Sequence, residues 1–185
     1  MVVKKPGKPT RLIALLRGIN VSGSNTIKMA DLREMFAKAG MKNVATYIQS
    51  GNVVFDSPGA GASDTEKVLE AGIKDTFGFN VNVIVRNAED LSTALSEIPA
   101  DFHDETKTYF MFFKEKVNTL TAMKKFPHED SNDVLSIFPG HAVLYCHNGY
   151  GKTKLSNNFV EKVLDITATT RNYRTVCRLT EMAKK

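Results

Sequence analysis

Val44-Ala45-Thr46-Tyr47-Ile48-Gln49-Ser50-Gly51-Asn52-Val53-Val54-Phe55 reads as two short strands, 44–49 and 52–55, folded back about Ser50-Gly51. β-branched and aromatic residues fill both arms, and a Ser-Gly pair between such runs is a tight hairpin signal. Before the hairpin, 11–18 reads as a buried strand, because Leu12 to Leu16 is apolar on both alternating faces. A polar loop, 18–25, follows, and then Met29, Leu32, Met35 and Phe36 recur at helical spacing over 29–39. Gly40 stands where a left-handed helix cap is wanted. After the hairpin come a Gly, Ser and Pro loop (57–62), a helix over 64–77 built on Val68, Leu69, Ile73 and Phe77, and a strand over 81–85. The order is β-α-β-β-α-β, the split βαβ or ferredoxin-like pattern.

A geometric consequence follows. The strands at 12–17 and 44–49 run the same way, because a right-handed helical crossover joins them. Their carboxyl ends share one edge of the sheet, so the loop with Arg17, Gly18, Asn20, Ser22 and Asn25 is expected beside the hairpin tip of Gln49, Ser50, Gly51 and Asn52. Polar loops at such an edge are where open sheets often place ligands, although Asn, Ser and Gly are also what turns are made of.

The second half repeats the pattern loosely. A helix over 88–98 leads into the very apolar strand 108–113, then a helix over 117–126, and a second hairpin, 134–138 with 141–146, about Pro139-Gly140. Helices near 157–164 and 172–183 finish the chain. No residue-level repeat links the halves, and a duplicated architecture would place its boundary near 86–90. The expected fold class is therefore α+β, with two ferredoxin-like (split βαβ) subdomains, mainly antiparallel sheets with packed helices. A disordered arm is expected over 1–10, a first subdomain over 11–87 and a second over 88–185 that closes on a basic helix.

The 185 residues are 42% hydrophobic and 24% charged, the composition of an ordinary globular chain. Folding at this length buries about 70% of the unfolded surface, so no staple is needed. Two cysteines, Cys146 and Cys177, form no disulfide framework and fit a reducing, cytoplasmic setting. Apolar runs of about five residues fall far short of the roughly 20 that cross a bilayer, and no secretory leader is read at the start. The formal charge is +5, with 25 Lys and Arg against 20 Asp and Glu. All of that excess lies in 150–185, where Lys152, Lys154, Lys162, Arg171, Arg174, Arg178, Lys184 and Lys185 face only Glu161, Asp165 and Glu181. A solvated basic face and a phosphate-reading surface both fit that distribution.

Most chemical motifs are near misses. The loop 18–25 has P-loop glycine spacing but Ser24 where the phosphate-binding Lys belongs, and Gly151-Lys152-Thr153 has Cys146 where the first glycine should stand. His103, His128, His141 and His147 are scattered without zinc spacing, so neither a metal nor a cofactor is expected. The aromatic run Tyr109, Phe110, Phe112 and Phe113 lacks the RNA-recognition signature and reads as core. The segment after 150 is richest. Read as a helix start, Thr170 is an N-cap with Arg171, Arg174, Arg178 and Lys185 on one face, a combination suited to phosphate or carboxylate. The absence of an easing glycine argues against a DNA-reading helix-turn-helix there.

Ala14-Leu15-Leu16-Arg17-Gly18-Ile19-Asn20-Val21, Lys28-Met29-Ala30-Asp31-Leu32-Arg33 and Thr46 to Phe55 resemble the domain-of-unknown-function family 1697. Tyr150-Gly151-Lys152-Thr153-Lys154-Leu155-Ser156-Asn157-Asn158 and Ala168 to Val176 are similar to its closing motifs, with Tyr173 where Trp is common and Ser22-Gly23-Ser24 in place of Gly-Gly-Lys. The resemblance implies a mostly bacterial, cytosolic protein with paired α+β subdomains, and no established activity comes with it. The expected ligand-binding set is Arg17, Asn20, Ser50 and Asn52 in the first half, with Lys152, Lys154, Asn157, Thr170, Arg171, Asn172 and Arg174 in the second. The expected partner is a phosphate-bearing small molecule or a nucleic acid, not a membrane. The alternatives are an enzyme acting on a small anionic metabolite, and motifs that only hold the fold together.

Overall fold

A computed structural model describes residues 9–21, 23, 25–59, 61–126 and 132–185. The arm expected over 1–10 lies outside the described residues except for Pro9 and Thr10, as do Ser22, Ser24 and His128. The chain divides into two compact units, one running to Ala88 and taking in Glu181–Lys185, the other spanning Glu89–Thr180.

In the first unit β1 (Thr10–Leu16), α1 (Met29–Lys38), β2 (Lys42–Tyr47), β3 (Asn52–Ser57), α2 (Ala62–Phe77) and β4 (Val83–Arg86) follow in order. The sheet order is β2-β3-β1-β4, every neighbour antiparallel. β1 is central and buried from Leu12 to Leu16, as its two-faced apolar run demands. Leu12, Ala14 and Leu16 join Leu32, Met35 and Phe36 of α1 and Leu69 and Ile73 of α2 in one core cluster. The helical spacing seen in sequence therefore marks the faces that pack on the sheet. Gly40 has φ +86°, the left-handed conformation read for it.

The hairpin departs from the expected two-residue turn. Tyr47 pairs with Asn52, leaving a four-residue loop, 48–51, in which Ile48 (φ +47°) and Gly51 (φ +75°) are both left-handed. Asn52, 0% exposed, stabilises that loop from inside: its Nδ2 donates to Tyr47 O at 3.1 Å and to Ser50 Oγ at 3.0 Å. Gly51 is required for space as well as for φ, because a Cβ there would stand 2.7 Å from Leu16 Cβ.

The second unit runs α3 (Ala88–Ser96), β5 (Thr108–Phe113), α4 (Thr119–Met123), β6 (Val134–Ile137), β7 (His141–Tyr145), a 3₁₀ turn at Tyr150–Lys152, α5 (Asn157–Leu164), β8 (Ala168–Asn172) and α6 (Tyr173–Ala183). The helix expected over 117–126 is the five-residue α4, N-capped by Asn118, whose side chain accepts from Thr121 N. β8 corrects a larger error. Thr170, Arg171 and Asn172, read as a helix cap and first turn, form an edge strand antiparallel to β5, with Tyr109 opposite Asn172 and Phe113 opposite Ala168. The β-branched pair Thr169-Thr170 suits a strand, and α6 is capped instead by Asn172, whose Oδ1 accepts from Thr175 N at 2.9 Å.

With β8 in place the second sheet has the order β6-β7-β5-β8, the same permutation as the first. The protein is thus α+β with two ferredoxin-like subdomains. The duplication extends to individual hydrogen bonds. Leu16 N donates to Gly51 O (2.8 Å) as Phe113 N does to Gly140 O (3.0 Å), and Arg17 N to Asn82 O (2.9 Å) as Lys114 N does to Thr167 O (2.8 Å). Each closing edge strand is also held by a helix carboxylate: Val83 N donates to Glu70 Oε1 and Ala168 N to Glu161 Oε1, both at 2.8 Å.

Candidate functional site

At the edge of the first unit the loop after β1 and the hairpin tip meet through one side chain. Asn20 Nδ2 donates to Gln49 O at 2.8 Å and to Ile27 O at 3.0 Å, and its Oδ1 accepts from Ile27 N at 2.8 Å. Asn20 itself is left-handed, φ +54°, a conformation Asn tolerates better than most residues. Its amide is thereby spent on joining the loops. Ser50 and Asn52 are committed to each other in the hairpin, and half-buried Arg17 fixes the strand end through its backbone bond to Asn82. Asn20 and Asn52 thus both make hydrogen bonds internal to the fold.

In the second unit the predicted residues separate into an internal network and an exposed set. Tyr150 Oη donates to Thr170 Oγ1 at 3.2 Å and accepts from Asn157 N at 3.2 Å, while Thr170 Oγ1 donates to Asn157 Oδ1 at 2.7 Å. This triangle ties the 3₁₀ turn, the start of α5 and β8 together. Ser156 caps α5 by accepting from Phe159 N. Arg171 is 7% exposed, and its Nη1 donates to Thr169 Oγ1 and Thr170 O, each at 2.8 Å. Burial pulls its pKa down to about 10, so it keeps its proton at neutral pH. The basic stripe read across 171–185 is therefore interrupted: Arg171 points inward from a strand, whereas Arg174 and Arg178 are exposed on α6. Lys152 and Lys154 are exposed too, and among the described residues neither they nor Arg174 is ion-paired.

Where β8 runs into α6 there is a pocket of about 200 Å³, lined by Glu105, Thr106, Tyr109, Asn172, Tyr173 and Arg174. Asn172 and Arg174 were expected at a ligand site; the other four were not. Their only signal is the register of β5 against β8, which sets Tyr109 opposite Asn172 and is invisible until β8 is recognised as a strand. The Tyr109 ring lies 5.2 Å from that of Tyr150 in a tilted contact, so the pocket wall adjoins the 3₁₀ turn that carries Lys152. Hydrogen bonds to Cys177 and Glu105, with some burial, push the Tyr173 hydroxyl up to about 12, keeping it a proton donor across the physiological range.

The nucleophile inventory is thin. Burial, aided by the charge of Asp133, pushes the Cys146 thiol up to about 11 against a bond from Thr153, leaving little thiolate at neutral pH. Among the described residues no three His, Cys, Asp or Glu side chains gather as a metal set, and no helix is long and apolar enough to cross a membrane.

Comparison with known proteins places the chain in context. The family model described as a protein of unknown function, DUF1697, matches residues 10–142. The motifs at 150–158 and 168–176 lie beyond that match. The structure of the conserved bacterial protein SP0830 from Streptococcus pneumoniae is similar to this one, with a TM-score of 0.74 and 26% identity over 96% of this chain and 100% of that chain. No curated protein matches.

Proposed function

The chain belongs to the DUF1697 family of proteins of unknown function, and, with no activity to inherit from it, we propose that it binds a phosphate-bearing ligand at the pocket between β8 and α6. The observation that carries the reading is Arg174, an exposed guanidinium without an ion pair among the described residues, on the wall of a pocket that also holds aromatic and hydrogen-bonding groups. Lys152 and Lys154, exposed and equally unpaired, add positive potential on the same unit. Arg is the side chain whose planar fork suits phosphate. A cytoplasmic setting belongs to the same reading, supported by two free cysteines. The engaged side chains of Asn20, Asn52, Asn157, Thr170 and Arg171 favour a structural role for those positions, so ligand contact falls to Arg174, Lys152 and Lys154.

The test is binding of a labelled single-stranded oligonucleotide and of inorganic phosphate at about 50 and about 200 mM salt. Wild type is compared with the Lys152→Ala, Arg174→Ala double variant. Affinity should fall steeply with salt, and the variant should lose it with its melting temperature unchanged. Binding by the double variant equal to wild type would sink the reading.

A further inference from the structure

The pocket between β8 and α6 is small for a whole cofactor and suited to a single flat ring. Its volume of about 200 Å³ is below the roughly 300 to 1,000 Å³ that encloses a drug-sized ligand. Its walls divide by chemistry: Tyr109 and Tyr173 supply rings, Glu105 a carboxylate and Arg174 a guanidinium. Each ring contacts a second ring in a tilted pair, Tyr109 with Tyr150 at 5.2 Å and Tyr173 with Phe110 at 6.4 Å. Tyr109 Oη is turned aside to Thr106 O at 3.3 Å. Glu105 lies close enough to the Tyr173 hydroxyl to help hold its proton in place. An ionised carboxylate offers about four lone-pair sites, so Glu105 can still accept from a ligand.

We infer, on top of the phosphate-binding reading above, that this pocket takes an amino-bearing nucleobase, stacked on Tyr109 or Tyr173 and donating to Glu105, with the phosphate of the same nucleotide on Arg174. Aromatic side chains accept any base face, which gives affinity without sequence preference. A carboxylate facing the base edge accepts from the exocyclic amino group of cytosine and gains nothing from the carbonyl that uracil carries there. Glu105 therefore supplies the preference and Arg174 the anchor. A free nucleotide and a nucleotide within a strand present the same chemistry.

The probes are cytidine monophosphate, uridine monophosphate and ribose 5-phosphate, with short cytidine and uridine single strands beside them, all by titration calorimetry. Cytidine monophosphate should bind about fivefold or more tighter than uridine monophosphate, and about tenfold or more tighter than ribose 5-phosphate. Glu105→Gln, at an exposed position, should erase the cytidine preference without weakening ribose 5-phosphate, since the change removes a negative charge from the pocket. Tyr109→Leu should erase the advantage of either nucleotide over ribose 5-phosphate, with a melting curve run alongside to check folding. A cytidine preference confined to the strands also supports the base site and assigns nucleic acid as its source. Equal affinity for all three small probes, with no cytidine preference in the strands, overturns the base site while the phosphate reading stands. No binding of any probe, strands included, overturns both.

Discussion

Gly51→Ala isolates the contact on which the first unit's loop edge depends. Two penalties add. The residue holds φ +75°, and an L side chain in the left-handed region costs about 1–2 kcal/mol. The new Cβ would also stand 2.7 Å from Leu16 Cβ and 2.9 Å from Ile19 Cδ1, closer than real Cβ contacts allow. Leu16 cannot yield easily, because it ends the central strand and is fully buried, so overpacking adds about 1–3 kcal/mol. Gly40→Ala is the matched control: φ is +86° but nothing lies within 4 Å of the new Cβ, so only the conformational cost of about 1–2 kcal/mol applies. Urea unfolding of both variants beside wild type should therefore place Gly51→Ala about 1–3 kcal/mol below Gly40→Ala. At this chain length each kcal/mol is about 2–4 °C of melting temperature, so calorimetry gives an independent measure. Equal losses at the two glycines would refute the close approach of the hairpin tip to Leu16 and Ile19.

Arg171→Ala should lower stability by about 1–3 kcal/mol, because it abandons Thr169 Oγ1 and Thr170 O inside the protein, whereas Arg174→Ala should stay within about 0.5 kcal/mol of wild type in the same urea titration. Cys146 should give a readable alkaline limb. Its thiol is raised from 9.0 to about 11 in the fold, so between those values the native state binds more protons than the unfolded state and stability falls as pH rises. Cys146→Ala should flatten that part of the profile, and an unchanged slope would disprove the assignment. At pH 7 the buried Cys146 should also resist a thiol reagent in the native protein and react once urea is added.

Three peptide carbonyls and one neighbouring asparagine explain why site residues were harder to read than the fold. Asn20 and Asn52 carry the polarity that suggested ligand contact, yet Gln49 O, Ile27 O and Tyr47 O take their donors. Thr170 likewise spends its hydroxyl on Asn157. Asn172 and Arg174 were legible as site candidates because charge and amide groups concentrate at the end of the chain. Glu105, Thr106, Tyr109 and Tyr173 were not, since a short carboxylate-bearing turn and a strand aromatic look the same in sequence whether or not a pocket separates them.

Local patterning determined a great deal without help from the fold. Apolar residues on both faces of 12–16 could be satisfied only in a buried strand, and Leu32, Met35 and Phe36 could be buried together only on a helix, so β1 and α1 were fixed by the need to remove hydrocarbon from water. The hairpins and the β-α-β-β-α-β order of the first unit followed from the same alternation and from turn chemistry. Pairing decided the rest. β8 has no apolar stripe of its own; Ala168 to Asn172 becomes a strand because β5 offers it an edge and Glu161 takes the amide of Ala168. That partnership spans some sixty residues of chain, which no local window contains. It turns Arg171 inward, moves the cap of α6 from Thr170 to Asn172 and brings Tyr109 to the pocket with Arg174. A hydrogen-bond ladder is a property of two segments at once, so its register, and the pocket it builds, exist only in the tertiary structure.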